Sequence, residues 1–277
     1  MIKSLSRLML AVTLIGTTAS LASAQILLAP TRVVLEDGDK SADLTILNNG
    51  SEAAAFRISV ENRRMLPNGM LETAEDTRDG ELFANDMIGF SPRRVSLEPN
   101  AQQAIRISAR LPRNIKPGEY RSHLRVMAAP KQAVNSLDSI SSETSSGNLS
   151  IKLVAIQSVT IPIIIRVGEL DGEVKITDVT IENEIPEGDP VLVAKLERTG
   201  DKSVYGDFRL FAEGVTDPVY EARGIAVYTP NESRDLLLPF PQEVAEKLQG
   251  KSVRIDYTTP DLENPTVLAS MQTDMFK

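Results

Sequence analysis

The sequence predicts an all-β protein: two immunoglobulin-like β-sandwich domains in tandem, behind a cleaved leader. Three observations point there. Apolar and polar residues alternate with period two along most of the chain, which is the pattern of half-buried strands. Turn-forming clusters such as Asn48-Asn49-Gly50, Pro67-Asn68-Gly69, Glu98-Pro99-Asn100 and Lys116-Pro117-Gly118 punctuate it at short intervals. Only Pro241–Leu248 has helical spacing.

The first 24 residues stand apart. Lys3 and Arg7 precede an apolar run from Leu8 to Ile15, and small residues follow to Ala22-Ser23-Ala24. That order is a secretory leader, so 1–24 is expected to be a signal peptide cleaved before Gln25. The run is shorter than the roughly 20 apolar residues that span a bilayer, and no membrane insertion of the mature chain is expected. Losing a leader with two basic and no acidic residues takes the formal charge from −8 to −10.

The first domain is expected over residues 25–166. Its strands begin with an opening run at Leu27–Leu35. Alternation follows at Ala42/Leu44/Ile46, Phe56/Ile58/Val60, Val95/Leu97, Ile105/Ile107/Ala109/Leu111 and Tyr120/Ser122/Leu124/Val126. With a late strand near Ile151–Ile165 the count reaches about seven, the number of an immunoglobulin-like sandwich. Residues 71–89 are acidic and weakly periodic, which predicts a long connection or a helical turn. Residues 131–150 form a serine-rich polar tract, expected to be a mobile loop.

The late strand is unusual. From Leu149 to Gly168 it is long, β-branched and apolar, and no single period holds throughout. Leu149, Ile151 and Leu153 share one parity, while Val154 and Ile156 share the other, which predicts a bulge or a strand that changes faces. Pro162 cannot donate a ladder hydrogen bond and marks an edge or a crossing point. Such a strand is either a core strand or an edge that a partner must cover.

The second domain is expected over 167–277. Val174/Ile176, Val191/Val193, Phe208/Leu210, Ile225/Val227, Leu236/Leu238 and Val253/Ile255 continue the β pattern. The short helix ends at Gly250, a suitable C-cap.

Composition removes many chemistries. There is no Cys and one His, so disulfides, thiol nucleophiles, Cys-type zinc sites and multi-histidine metal sites are excluded. An acidic chain has no field that favours nucleic acid, and no nucleic-acid partner is expected. His123 lies in a strand pattern with no serine or acid at triad spacing, so a structural role is expected for it. Asp37/Asp39 and Glu182/Glu184/Glu187 suit turns and surfaces better than calcium. No catalytic residue, metal site or cofactor is expected, and the protein is read as a non-enzyme.

Several segments resemble a known family. Ala29-Pro30-Thr31-Arg32-Val33-Val34-Leu35, Lys40 to Asn49, Ser91-Pro92 through Leu97-Glu98-Pro99, Gly118-Glu119-Tyr120-Arg121-Ser122-His123-Leu124 and Ile161–Arg166 are similar to the periplasmic pilus chaperones typified by PapD. Lys202 to Asp207 and Ala226-Val227-Tyr228-Thr229-Pro230 add to the likeness in the second domain. The resemblance implies a periplasmic protein that binds pilus or fimbrial subunits, with an outer-membrane usher as a further partner. It implies that a strand at about 149–161 is lent to the incomplete fold of a subunit, a form of β-augmentation. Ile151, Val154 and Ile156 would be the donor-strand anchors, and Arg32 the anchor for the subunit's terminal carboxylate. The family's lysine beside that arginine falls at Ile161 here and is missing, so either Arg32 works alone, another cation assists, or the anchoring differs. The other reading of the pattern is an exported structural or adhesive two-domain protein without chaperone activity.

Overall fold

The structure is a computed structural model that describes residues 26–129, 156–182 and 190–274. The leader, the polar tract of 131–150 and the predicted anchors Ile151 and Val154 lie outside them. The described chain is two β-sandwiches in tandem. In chain order the first holds β1 (Ile26–Ala29), β2 (Val33–Leu35), β3 (Ser41–Asn48), β4 (Ala54–Glu61), β5 (Arg63–Met65), β6 (Leu71–Thr73), β7 (Ile88–Ser91), β8 (Arg94–Leu97), β9 (Gln102–Ala109), β10 (Gly118–Ala128) and β11 (Ser158–Val167). The second holds β12 (Gly172–Glu182), β13 (Val191–Gly200), β14 (Val204–Ala212), β15 (Tyr220–Val227), β16 (Ser233–Pro239), α1 (Gln242–Leu248), β17 (Val253–Thr258) and β18 (Val267–Thr273).

Period two explains the first sandwich. Its sheets run β1-β3-β9-β7 and β2-β11-β10-β4-β8. Leu44 and Ile46 of β3, Ile105 and Ile107 of β9, Phe56 and Ile58 of β4 and Leu124 and Val126 of β10 all turn inward and are buried together. Burying one such side chain contributes roughly 1.5–3 kcal/mol. The side-chain amide of Asn48 closes one end, donating to the carbonyls of Glu52 at 2.8 Å and Leu97 at 3.0 Å.

The expected opening strand is divided. β1 pairs with β3, whereas β2 pairs in parallel with Ile163–Ile165 of β11 in the opposite sheet. Pro30, which lacks an N–H, sits at the break. Residues 71–89 contain no helix. Strands β6 and the start of β7 bound a connection that Arg64 pins, donating to Glu81 and to Asp76.

The second sandwich has sheets β12-β13-β16 and β15-β14-β17-β18. Phe208, Leu210, Leu192, Leu196 and Ile255 fill its core with Tyr257, whose hydroxyl donates to the Ile225 carbonyl at 2.7 Å. The helix sets Leu248 into the same core and stops just before Gly250, whose φ of 75° suits a glycine.

A third cluster joins the two units. Met65 and Ile164 from the first pack with Ala226 and Tyr228 from the second, flanked by Val34 and Tyr205. The β5–β6 hairpin fixes this arrangement through its backbone: the Met65 carbonyl accepts from Asn231 Nδ2 at 3.0 Å, and the Pro67 carbonyl from the Asp235 amide at 2.8 Å. The Pro-Asn-Gly turn was legible in the sequence; its docking on the second unit was not.

Candidate functional site

The site is built on the outer face of the five-stranded sheet. In β10 the residues Ser122, Leu124 and Val126 face the first core, so Glu119, Arg121 and His123 must face the other way. Alternation predicts a solvated face there. Instead Glu119, Arg121 and His123 are 2%, 5% and 0% exposed, because the second sandwich covers them. In β11 the same logic sends Ile161, Ile163 and Ile165 into the core and leaves Pro162, Ile164 and Arg166 outward.

Glu119 is the centre of the junction. Its carboxylate accepts from Arg166 Nε at 2.9 Å, from the Ser203 amide at 3.1 Å and from the Ser203 hydroxyl. Arg166 also donates to Glu36 at 2.6 Å, and the Thr229 amide donates to the Ser203 hydroxyl at 3.0 Å. A buried carboxylate is tolerable only when paired and hydrogen-bonded, and this one is both. It ties β10 and β11 to the second unit.

One row of the sheet further on, the charges are not balanced. Arg121 stacks on the Tyr228 ring, with 4.1 Å from its guanidinium carbon to the ring centroid. Arg32, at the entry to β2, lies 4.3 Å over Tyr205 and 5.7 Å from the Tyr228 centroid. These cation–π contacts hold both guanidiniums against aromatic walls from the second unit. Among the described residues, Arg121 Nε, Arg121 Nη1 and Arg32 Nη1 find no hydrogen-bond acceptor. Burial pushes the Arg121 pKa down to about 10, and the Arg32 charge pushes the same way. His123 stands beside them, edge-on to Tyr228 with centroids 6.5 Å apart. Burial first, then the charges of Arg121 and Arg63, hold its imidazole down at about 3, so the ring is neutral near pH 7.

The neighbouring edge is open. β10 pairs with β11 along its whole length, from Ser158 to Val167, but β2 covers only Ile163–Ile165 on the other side. Over Ser158–Pro162 the second edge has no strand partner among the described residues. Pro162 lies where that cover ends, as a residue without an N–H can. Beside the open edge runs a groove of about 380 Å³ lined by Ile26, Leu27, Gln157, Ser158 and Val159. Ile156 lies just before β11, outside any strand, and is 50% exposed.

Ile161 needs a correction. A lysine there would not have reached the arginine: Ile161 opposes Leu124 and is buried in the first core at 3% exposure. The outward position is Pro162, which opposes His123. A shift of one residue along a strand reverses the face.

A larger cleft of about 700 Å³ opens on the far side of Glu119, with Glu197, Arg198, Asp201 and Glu232 among its lining. Arg198 already donates to the carbonyls of Asn231, Gly200 and Lys202. The cleft's acidic rim opposes an anion, so Arg32 and Arg121, which have no carboxylate partner among the described residues, mark the better candidate.

No family model and no curated protein matches the chain. It is similar to solved structures of pilus and fimbrial chaperones. The CsuC–CsuE chaperone–tip adhesion subunit complex, from the archaic chaperone-usher Csu pili of Acinetobacter baumannii, has a TM-score of 0.48 and 12% identity, covering 89% of this chain and 99% of that one. The Salmonella enterica SafA pilin–SafB chaperone complex gives 0.44 and 12%, covering 92% and 98%. The E. coli chaperone DraB gives 0.44 and 14%, covering 90% and 96%. Likeness at this level transfers no role, which has to come from the residues themselves.

Arg32 thus falls at the junction. The sequence did not single out Arg121, Glu119, Ser203, Tyr205 or Tyr228 as site residues. The available signal was three charged or polar residues, Glu119, Arg121 and His123, spaced two apart on one strand face.

Proposed function

We propose that the protein is a periplasmic, non-enzymatic chaperone that binds pilus or fimbrial subunits and completes their fold with its own strand before passing them to an outer-membrane usher. The observation that supports this most is that β11 over Ser158–Pro162 pairs on one side only among the described residues, next to the exposed Ile156. A strand with one free edge offers main-chain donors and acceptors to an incomplete sheet, and alternate apolar side chains give the fit. In this reading the donated segment covers about 149–161, with Ile151, Val154 and Ile156 as anchors. Each anchor would contribute roughly 1.5–3 kcal/mol when fully buried. Arg32, beside the same edge, would hold the subunit's terminal carboxylate, since forked N–H donors match its two oxygens. The two domains of this reading meet at Arg166–Val167.

Co-expression of the chain with a pilin-type subunit that lacks its last strand tests the reading. A soluble one-to-one complex is expected, with the subunit aggregating in the chain's absence. A subunit that aggregates equally with and without the chain would remove the strand-donor role.

A further inference from the structure

We propose that the joint between the two sandwiches is acid-sensitive: a proton on His123 favours a state in which the second unit has moved off the outer face of β10 while both cores stay folded. A chain with this joint responds to acid whatever partner it binds.

His123 is 0% exposed, and neither ring nitrogen has a hydrogen-bond partner among the described residues. On its own strand, Arg121 and Arg125 lie on the same face, two residues to either side. Its neighbours across the sheet are Glu61 of β4 and Pro162 of β11. Glu61 is already engaged, accepting from Arg63 of β5 at 2.6 Å and from Arg125 at 3.4 Å. Pro162 offers neither an N–H nor a side-chain acceptor. From the second unit the Tyr228 ring stands edge-on to the imidazole, and Arg121 and Arg32 lie against that same ring. Further along the face, Glu119 is held by Arg166 and Ser203. A proton on His123 therefore meets guanidiniums and no unengaged carboxylate among the described residues, in a place closed to water.

The strain of that proton falls on the joint rather than on either core. His123 points away from the first core, which Leu124 and Val126 of the same strand enter. Lifting the cover leaves β10 laddered to β4 and β11. What has to part is the small cluster of Met65, Ile164, Ala226 and Tyr228, with ties such as the Ser203 amide to Glu119 at 3.1 Å and the Asp235 amide to the Pro67 carbonyl at 2.8 Å. In water the imidazole returns from about 3 to its ordinary 6.5. The closed joint has the lower value, so it is at full strength above about pH 6.5 and weakens as pH falls toward 3. At pH 5.5 the ratio of open to closed should be about tenfold that at pH 7.5. Opening also takes the tyrosine walls away from Arg32 and Arg121, so acid uncovers both guanidiniums.

Amide hydrogen exchange on the whole two-unit chain, followed by NMR and expressed as protection factors at pH 7.5 and 5.5, tests this. Both values lie above the ordinary carboxylate range, so the change reads the imidazole. The Ser203 and Asp235 amides, which bond across the joint, should lose about tenfold in protection at the lower pH, while amides of the central strands β9 and β14 keep theirs. His123→Phe keeps a ring beside Tyr228 and cannot titrate. Its melting temperature at pH 7.5 should equal or exceed that of the wild type, and the acid loss at Ser203 and Asp235 should disappear. His123→Gln, which is polar and does not titrate either, should also abolish the loss and serves if the phenylalanine variant does not fold. Unchanged protection at Ser203 and Asp235 in the wild type would overturn the proposal, as would an equal loss in the variants. A parallel loss in β9 and β14 would overturn it too, because acid would then be unfolding the units and not opening the joint.

Discussion

Glu119→Ala should lower the stability of the protein by about 3 kcal/mol, the low end of what breaking a buried ion pair costs. The carboxylate is 2% exposed and accepts from Arg166, the Ser203 amide and the Ser203 hydroxyl at once. Removing it leaves Arg166 with Glu36 as its remaining ion-pair partner, and leaves the Ser203 amide without an acceptor. Glu36 is more than half exposed, so that pair is worth little on its own. Glu119→Gln keeps an acceptor for Ser203 but not the charge, and should fall in between. Urea unfolding of the three proteins gives the ordering wild type, Gln, Ala. A loss below about 0.5 kcal/mol for Ala, the size of an ordinary surface substitution, would mean that Glu119 does not hold the two sandwiches together.

Arg32→Ala should weaken subunit binding on the order of tenfold to a hundredfold, because hydrogen bonds to a charged group contribute roughly 1.5–3 kcal/mol. Stability should move much less. The contact over Tyr205 is worth about 0.5–1 kcal/mol, and removing one of two facing cations relieves repulsion on Arg121. Arg32→Lys should restore only part of the affinity. Titration of a purified subunit against the variants, with thermal unfolding alongside, measures both quantities. Binding that does not change would place the carboxylate anchor elsewhere.

The fold was legible because one face of each strand packs on its own sandwich core, and alternation reports that directly. Leu44, Ile46, Ile105, Ile107, Leu124 and Val126 sit where the pattern puts them. Alternation says nothing about whether a second body covers the opposite face. For that reason the pattern does not report that Glu119, Arg121 and His123 are all buried. Arg32 stood out because its neighbours Thr31 and Val33 belong to a recognisable segment. Arg121 lies in a comparable segment, but its role depends on Tyr228, more than a hundred residues away in the chain. Position Ile161 failed for a smaller reason: an error of one residue in a strand moves a side chain from the cleft into the core.

Strand donation requires the edge of β11 over Ser158–Pro162 to be open. Amide hydrogen exchange over Gln157–Ile165, with and without a bound subunit, measures it most directly. In the free protein the outward amides of Ser158–Ile161 should exchange much faster than those of Ile163–Ile165, which β2 covers, and should become protected when a subunit binds. Equal protection of both halves in the free protein, or no change on binding, would contradict strand donation from this edge.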